Sequence, residues 1–317
     1  MITQENRDEL QEKGYTVVTG VMTEAECDDH VASYRKWLST FPPGTFPMCK
    51  FSLIQRYRIG HMEPTWSVRL KAYPVFAQLW RTEKLLSSFD AVAIGRPPEN
   101  GEEEFWTPEQ SWLHSDQSAD REGVHAYQGA VYLEHCDEDD WTFEVIEGSH
   151  KHFDEFMEKL QKMRCVKVLK EDLEWFAERG CHRKRVACPK GGLVLWDSRL
   201  VHANARPVKG RAHPDRWRYV VFVCMTPAAW ASEKDIELKV GAYNNLHLTG
   251  HWASMGINVF PSRLIEGSVE EANPLEKLPD IARSELAQRL AGVLSYEETV
   301  EDEISRNIPK YRKVNWG

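Results

Sequence analysis

An α+β fold, with a jelly-roll core carrying helices at both ends, is what three features of the 317-residue sequence predict. Helical periodicity marks both ends of the chain, and strand-like alternation marks its middle. Two histidine-bearing segments in that middle lie far enough apart for several strands to run between them. A chain of this length can bury a large core as one unit. The expected division is therefore one domain over 1–317: a mainly helical cover (1–92), a core (93–230) with a helical insertion (150–180), and a helical extension (231–317).

The elements follow in order. Tyr15-Thr16-Val17-Val18 reads as an early strand in the helical cover. Thr23-Glu24-Ala25-Glu26 is a capping-box signature, and Cys27, Val31, Tyr34 and Leu38 follow at helical spacing as a stripe that would cover a sheet. Residues 105–226 carry the strands. Within them, polar helices starting near Phe153 and Glu171 are expected at the rim of the barrel. From Asp280 the chain returns to helix, with Ile281, Leu286, Leu290, Val293 and Leu294 spaced for one buried face. Gly148-Ser149 and Gly191-Gly192 read as turns.

The chemistry is carried by Trp112-Leu113-His114-Ser115-Asp116-Gln117-Ser118 and by Leu195-Trp196-Asp197-Ser198-Arg199-Leu200-Val201-His202. His114 and Asp116 sit two apart, so on an extended strand they face the same side. If the jelly roll returns His202 to them, the three form a 2-His-1-carboxylate triad that leaves one face of an octahedral ion open, as a non-heme Fe(II) oxygenase requires. A zinc hydrolase could use the same three residues with a water. It would leave Arg218 without a purpose. Arg218 opens the apolar run Arg218-Tyr219-Val220-Val221-Phe222-Val223, where a charge must be paired or bind an anion. Its planar fork suits a carboxylate.

The order His-x-Asp-Gln-Ser, then Phe143-Glu144-Val145-Ile146-Glu147-Gly148-Ser149-His150, then Trp196-Asp197-Ser198-Arg199-Leu200-Val201-His202, then the Arg218 strand, resembles the phytanoyl-CoA dioxygenase family over about residues 50–230. The resemblance implies a double-stranded β-helix that uses Fe(II), 2-oxoglutarate and O2. It implies His114, Asp116 and His202 as metal ligands and release of succinate and CO2. Arg218 is the expected cosubstrate anchor; Arg216 competes, because in the name-giving enzymes this arginine lies closer to the distal histidine. Asn204, Gln128 and Gln117 are further cosubstrate candidates. Asp116 disfavours halogenation, since the family's halogenases carry a small residue there. Hydroxylation, desaturation and oxidative ring closure stay open. Trp66-Ser67-Val68-Arg69 and Ser88-Phe89-Asp90 are similar to a fungal and algal branch acting on small secondary metabolites, kainoid synthases among them. Acyl-CoA hydroxylation and a catalytically silent ligand-binding jelly roll are the alternatives.

Net charge of −9 argues against a nucleic-acid partner. No apolar run is long enough to span a bilayer, and the first residues have no apolar signal core, so the expected address is the cytoplasm. Seven cysteines without a CxxC pair suit reduced thiols. The expected partner is a small molecule, with no obligatory protein partner evident. Arg56, Arg58 and Arg69 cluster where this family lines its pocket mouth and, with Trp112, are expected to meet a carboxylate-bearing substrate.

Overall fold

Threonine side chains start the first two helices. Thr3 and Thr23 close capping boxes with Asn6 and Glu26, opening α1 (Gln4–Glu12) and, after β1 (Tyr15–Val18), α2 (Glu24–Leu38). The computed structural model describes residues 1–100, 112–164, 167–260, 269–270, 273–297 and 307–314. Residues 105–111 of the expected strand region, and Cys165, lie outside these. After α2 come β2 (Leu53–Ile54), α3 (Glu63–Trp80), β3 (Leu85–Ser87) and β4 (Val92–Gly95). Next are β5 (Arg121–Glu122), β6 (Tyr127–Tyr132), β7 (Thr142–Ile146), α4 (Phe153–Leu160) and α5 (Lys170–Ala177). Then follow β8 (Arg183–Val186), β9 (Leu193–Asp197), β10 (His202–Ala205) and β11 (Arg218–Pro227). The chain ends through α6 (Glu233–Asn244), β12 (Leu248–Thr249), β13 (Val259–Phe260), α7 (Glu285–Leu290) and β14 (Lys310–Tyr311).

Ten of the strands form a jelly roll of two antiparallel sheets, and β12-β13 and β14-β5 pair as two separate ribbons. The larger runs β1-β9-β6-β11-β4-β2, with β3 also on β11; the smaller runs β10-β7-β8. Strand alternation sorts the side chains. From β6, β7, β9 and β11, Ala130, Tyr132, Phe143, Val145, Val194, Trp196 and Val220 fill the space between the sheets. On the opposite face of the large sheet, Val131, Leu193, Leu195, Tyr219, Val221 and Val223 pack against Val31 and Tyr34 of α2 and Val68, Ala72 and Phe76 of α3. The helical cover thus buries the outside of the barrel.

Three expectations change. The large sheet recruits β1, β2 and β3 from the first 92 residues, so the core does not begin at 93. The insertion does not sit at a rim: Phe153, Phe156, Met157 and Phe176 cover the outer face of the small sheet, against Ile146, Val201 and Ala203, whose outward apolar side chains need that cover. The C-terminal region is only partly helical. Its helix stops at Leu290, Gly292 turns the chain at φ 75°, and Val293 and Leu294 are left exposed. Among the described residues no helix is long and apolar enough to cross a membrane, and none of the cysteines is disulfide-bonded.

Gly129 shows how tightly α3 lies on the sheet. A Cβ there would come 2.8 Å from Leu193 Cδ1, 3.0 Å from the Val223 carbonyl oxygen and 3.1 Å from Phe76. Gly129→Ala is therefore expected to destabilise the protein by about 1–3 kcal/mol through overpacking. A urea-unfolding midpoint equal to that of the parent would show that the helix yields freely.

Candidate active site

The site begins with a backbone pairing. His114 and His202 form an isolated antiparallel bridge in which each amide N–H donates to the other's carbonyl, at 3.0 and 2.8 Å. The bridge continues the small sheet, where His202 lies opposite Val145 and Asn204 opposite Phe143. Asp116 follows in a bend. Its Oδ1 lies 3.3 Å from His114 Nε2 and its Oδ2 lies 3.3 Å from His202 Nε2. One ligand atom from each residue falls within 4.8 Å of the others.

The hydrogen bonds around the imidazoles decide what the cluster can hold. His114 Nδ1 lies 2.8 Å from the Trp112 carbonyl and His202 Nδ1 lies 2.9 Å from the Leu200 carbonyl. A carbonyl only accepts, so both Nδ1 atoms carry the proton and both Nε2 atoms present lone pairs. Those lone pairs face a carboxylate, and acceptors set against acceptors call for a cation between them. The donor set, two imidazole nitrogens and one carboxylate, fits Fe(II).

A second cluster lies deeper between the sheets. Arg218 is buried on β11 opposite Gly95, and a Cβ on that glycine would come 3.3 Å from Arg218 Cβ. The guanidinium spans the sheets, donating from Nη2 to Asn204 Oδ1 at 2.8 Å and from Nη1 to Ser52 Oγ at 3.3 Å. No ion pair to it is found among the described residues, and Arg218 Nε, Tyr132 Oη and Gln128 Nε2 are buried without a hydrogen-bond partner. A buried cation with unused donors around it fits a carboxylate ligand.

The model of the family described as Phytanoyl-CoA dioxygenase (PhyH) matches residues 10–209. The chain belongs to that family. It is accordingly a 2-oxoglutarate-dependent non-heme iron oxygenase that uses Fe(II), 2-oxoglutarate and O2. An Aspergillus versicolor protein, Ava biosynthesis cluster protein O, is 27% identical over 277 residues, spanning 78% of this chain and 87% of that protein. The Candida albicans GlcNAc Inducible Gene 2 protein, GIG2, superposes at a TM-score of 0.68 with 13% identity, over 96% of this chain and 79% of its own. EctD from S. alaskensis in its apoform gives 0.50 with 16% identity, over 74% and 80%. At these identities the structural likeness is one of fold. The family match stops short of Arg218.

The structure separates the remaining candidates. Trp112 stacks on His114 at 4.4 Å and on Phe51 at 4.7 Å, and it lines a cavity of about 1070 Å³ with the triad, Gln128, Asn204 and Trp196. Gln117 does not face that cavity. Its oxygen accepts from Ser198 Oγ and the His125 amide, and its nitrogen donates to the Arg121 and Gly123 carbonyls, so it braces the loop after Asp116. Arg216 pairs outside with Asp137 at 2.7 Å and with Asp140. Arg56, Arg58 and Arg69 do not line the cavity. Arg58 donates to the Leu275 carbonyl, while Arg69 is fully buried 4.4 Å over the Trp66 ring and donates to the Gly60 carbonyl.

Sequence reasoning missed a wall of the cavity. Gly250, His251, Trp252, Met255, Gly256 and Phe260 line it from the segment between and including β12 and β13, and Tyr311 lines it from β14. Arg121 pins this wall, its guanidinium 3.7 Å over Trp252 and donating to the Met255 carbonyl. His251 Nδ1 lies 3.9 Å from Asp116 Oδ2. Asp90 also lines the cavity, and burial pushes its carboxyl up to about 7.

Replacing a ligand should remove the ion and leave the barrel. His114→Ala, Asp116→Ala and His202→Ala are each expected to weaken Fe(II) binding by about 100-fold or more in anaerobic equilibrium dialysis, with little change in thermal unfolding of the apoprotein. A variant that keeps the parental affinity is not a ligand.

Proposed function

We propose that the chain oxidises an unactivated C–H bond of a small biosynthetic metabolite, with His114, Asp116 and His202 holding Fe(II) and Arg218 holding the distal carboxylate of 2-oxoglutarate. The observation that carries the reading is the convergence of two unprotonated imidazole nitrogens on a carboxylate, beside a buried arginine with no ion-pair partner among the described residues. When bound, the iron with 2-oxoglutarate and O2 supplies the oxidant, and succinate and CO2 leave. The protein's own residues orient and exclude. Trp112 fixes the His114 ring by stacking, Asn204 and Ser52 aim the Arg218 fork, and Phe143 and Trp196 wall the inner cavity against water.

The retained Asp116 leaves no vacancy for halide, which favours hydroxylation, desaturation or ring closure. The likeness to a biosynthesis cluster protein supports a metabolite rather than an acyl-CoA as substrate. An acidic substrate gripped by Arg56, Arg58 and Arg69 loses its residues, because none reaches the cavity. Among the described residues Arg121, Arg164 and Lys234 line it; Arg121 is spent on the wall, which leaves the exposed Arg164 and Lys234 for a substrate carboxylate. Free thiols and Fe(II) suit the reducing cytoplasm.

Loss of the Arg218 fork removes charge-assisted hydrogen bonds worth about 1.5–3 kcal/mol each. Arg218→Ala should raise the KM for 2-oxoglutarate about 10- to 100-fold or more, measured as iron-dependent succinate formation. Arg218→Lys should stay impaired, because an ammonium cannot reproduce the fork. Arg216→Ala should leave that KM near the parental value; the reverse order would transfer the anchor to Arg216.

A further inference from the structure

Among the described residues, Asp90 is a carboxylate of the inner cavity without an ion-pair partner. It follows Phe89, whose backbone is held on both sides by Thr249: Phe89 N–H donates to Thr249 Oγ1 at 2.8 Å, and Thr249 N–H to the Phe89 carbonyl at 3.0 Å. A Cβ on Gly60 would come 2.8 Å from the Asp90 carbonyl oxygen, so the backbone is packed from the other side as well. One carboxylate oxygen accepts from the Ala91 amide at 2.7 Å. The side chain forms no ion pair with any described residue.

The other described acids of the cavity wall are committed. Asp116 belongs to the triad. Asp120 accepts from Ser118 Oγ at 2.5 Å. Asp235 accepts from Ser232 and from the Gly256 and Ile257 amides. Arg69 acts on Asp90 through its charge, yet it stacks on Trp66 and spends a donor on the Gly60 carbonyl, and it forms no ion pair with the carboxylate. Asp90 thus remains an acceptor without an ion-pair partner on a cavity wall that also carries the apolar Leu53, Ala91 and Phe222.

We propose that Asp90 receives a protonated nitrogen of the primary substrate, an ammonium, amidinium or guanidinium group, and that this contact sets which carbon lies over the iron. The assignment rests on the oxygenase reading only for the cavity being the substrate site. A carboxylate on the same substrate would lie toward Arg164 and Lys234, which makes a zwitterion compatible with both ends.

Benzamidinium and its neutral near-isostere benzamide test the site without knowledge of the substrate, and the amidinium has no lone pair to bind iron. Trp112, Trp196, Trp230 and Trp252 line the cavity, so binding is read by tryptophan fluorescence of the Fe(II)- and 2-oxoglutarate-loaded protein under argon. Benzamidinium should bind at least tenfold tighter than benzamide, and Asp90→Asn should erase that preference while keeping the parental circular dichroism and 2-oxoglutarate affinity. Asp90→Ser serves as the second variant should the amide disturb packing. Equal binding of the two probes by the parent, or an unchanged preference in a folded Asp90 variant, overturns the assignment. Absence of iron-dependent succinate formation alongside Asp90-dependent benzamidinium binding would instead overturn the oxygenase reading and leave this one standing.

Discussion

Two backbone hydrogen bonds between His114 and His202 hold the functional centre together. They join residues far apart in sequence at one rung of the small sheet. The rung sets both imidazoles side by side, with ring centroids 4.7 Å apart. The bend after His114 turns Asp116 back between them. Each ring is then locked by a bond from Nδ1 to the carbonyl two residues earlier, so the lone pairs have one direction in which to point. In a polar cluster this tight, electrostatics alone would drive the three groups apart. The β-ladder supplies the constraint, and a divalent cation supplies the compensation.

The same sheet pair places the proposed cosubstrate anchor. Arg218 stands on the large sheet and Asn204 on the small one, and their hydrogen bond ties the two across the inner core. Burying an unpaired guanidinium costs several kcal/mol, and a resident carboxylate offsets that cost. The outer wall comes from later in the chain, where β12, β13 and β14 lie over the mouth and Arg121 clamps them between Trp252 and Tyr311. Core and wall thus divide the work: the family-matched part supplies the proposed iron ligands, and the segments beyond it supply Arg218 and much of the cavity wall.

Local patterns in the sequence reported truthfully where the physics was local. The capping box at Thr23 and Glu26 forms as the spacing indicates, and the alternation after Arg218 sorts inward Val220 and Phe222 from outward Tyr219 and Val221. The triad was legible because three uncommon residues occur in a fixed order. The basic run Arg56 to Arg69 misled, because side-chain direction there is set by turns: Tyr57 and Arg58 both adopt positive φ, and Arg69 is drawn under an aromatic plate. His251 and Asp90 gave no local signal as a pair. Both line the cavity, and the bond from Phe89 to Thr249, 160 residues away, fixes the segment that carries Asp90.

The measurement that tests the account most directly is an anaerobic titration of the Fe(II)-loaded protein with 2-oxoglutarate, followed by the visible metal-to-ligand absorption of a chelated 2-oxo acid. The account requires a band that saturates at one equivalent of cosubstrate per chain, needs iron, and is lost when Zn(II) replaces it. Iron that binds without producing such a band, or tight 2-oxoglutarate binding that is indifferent to metal, would contradict it.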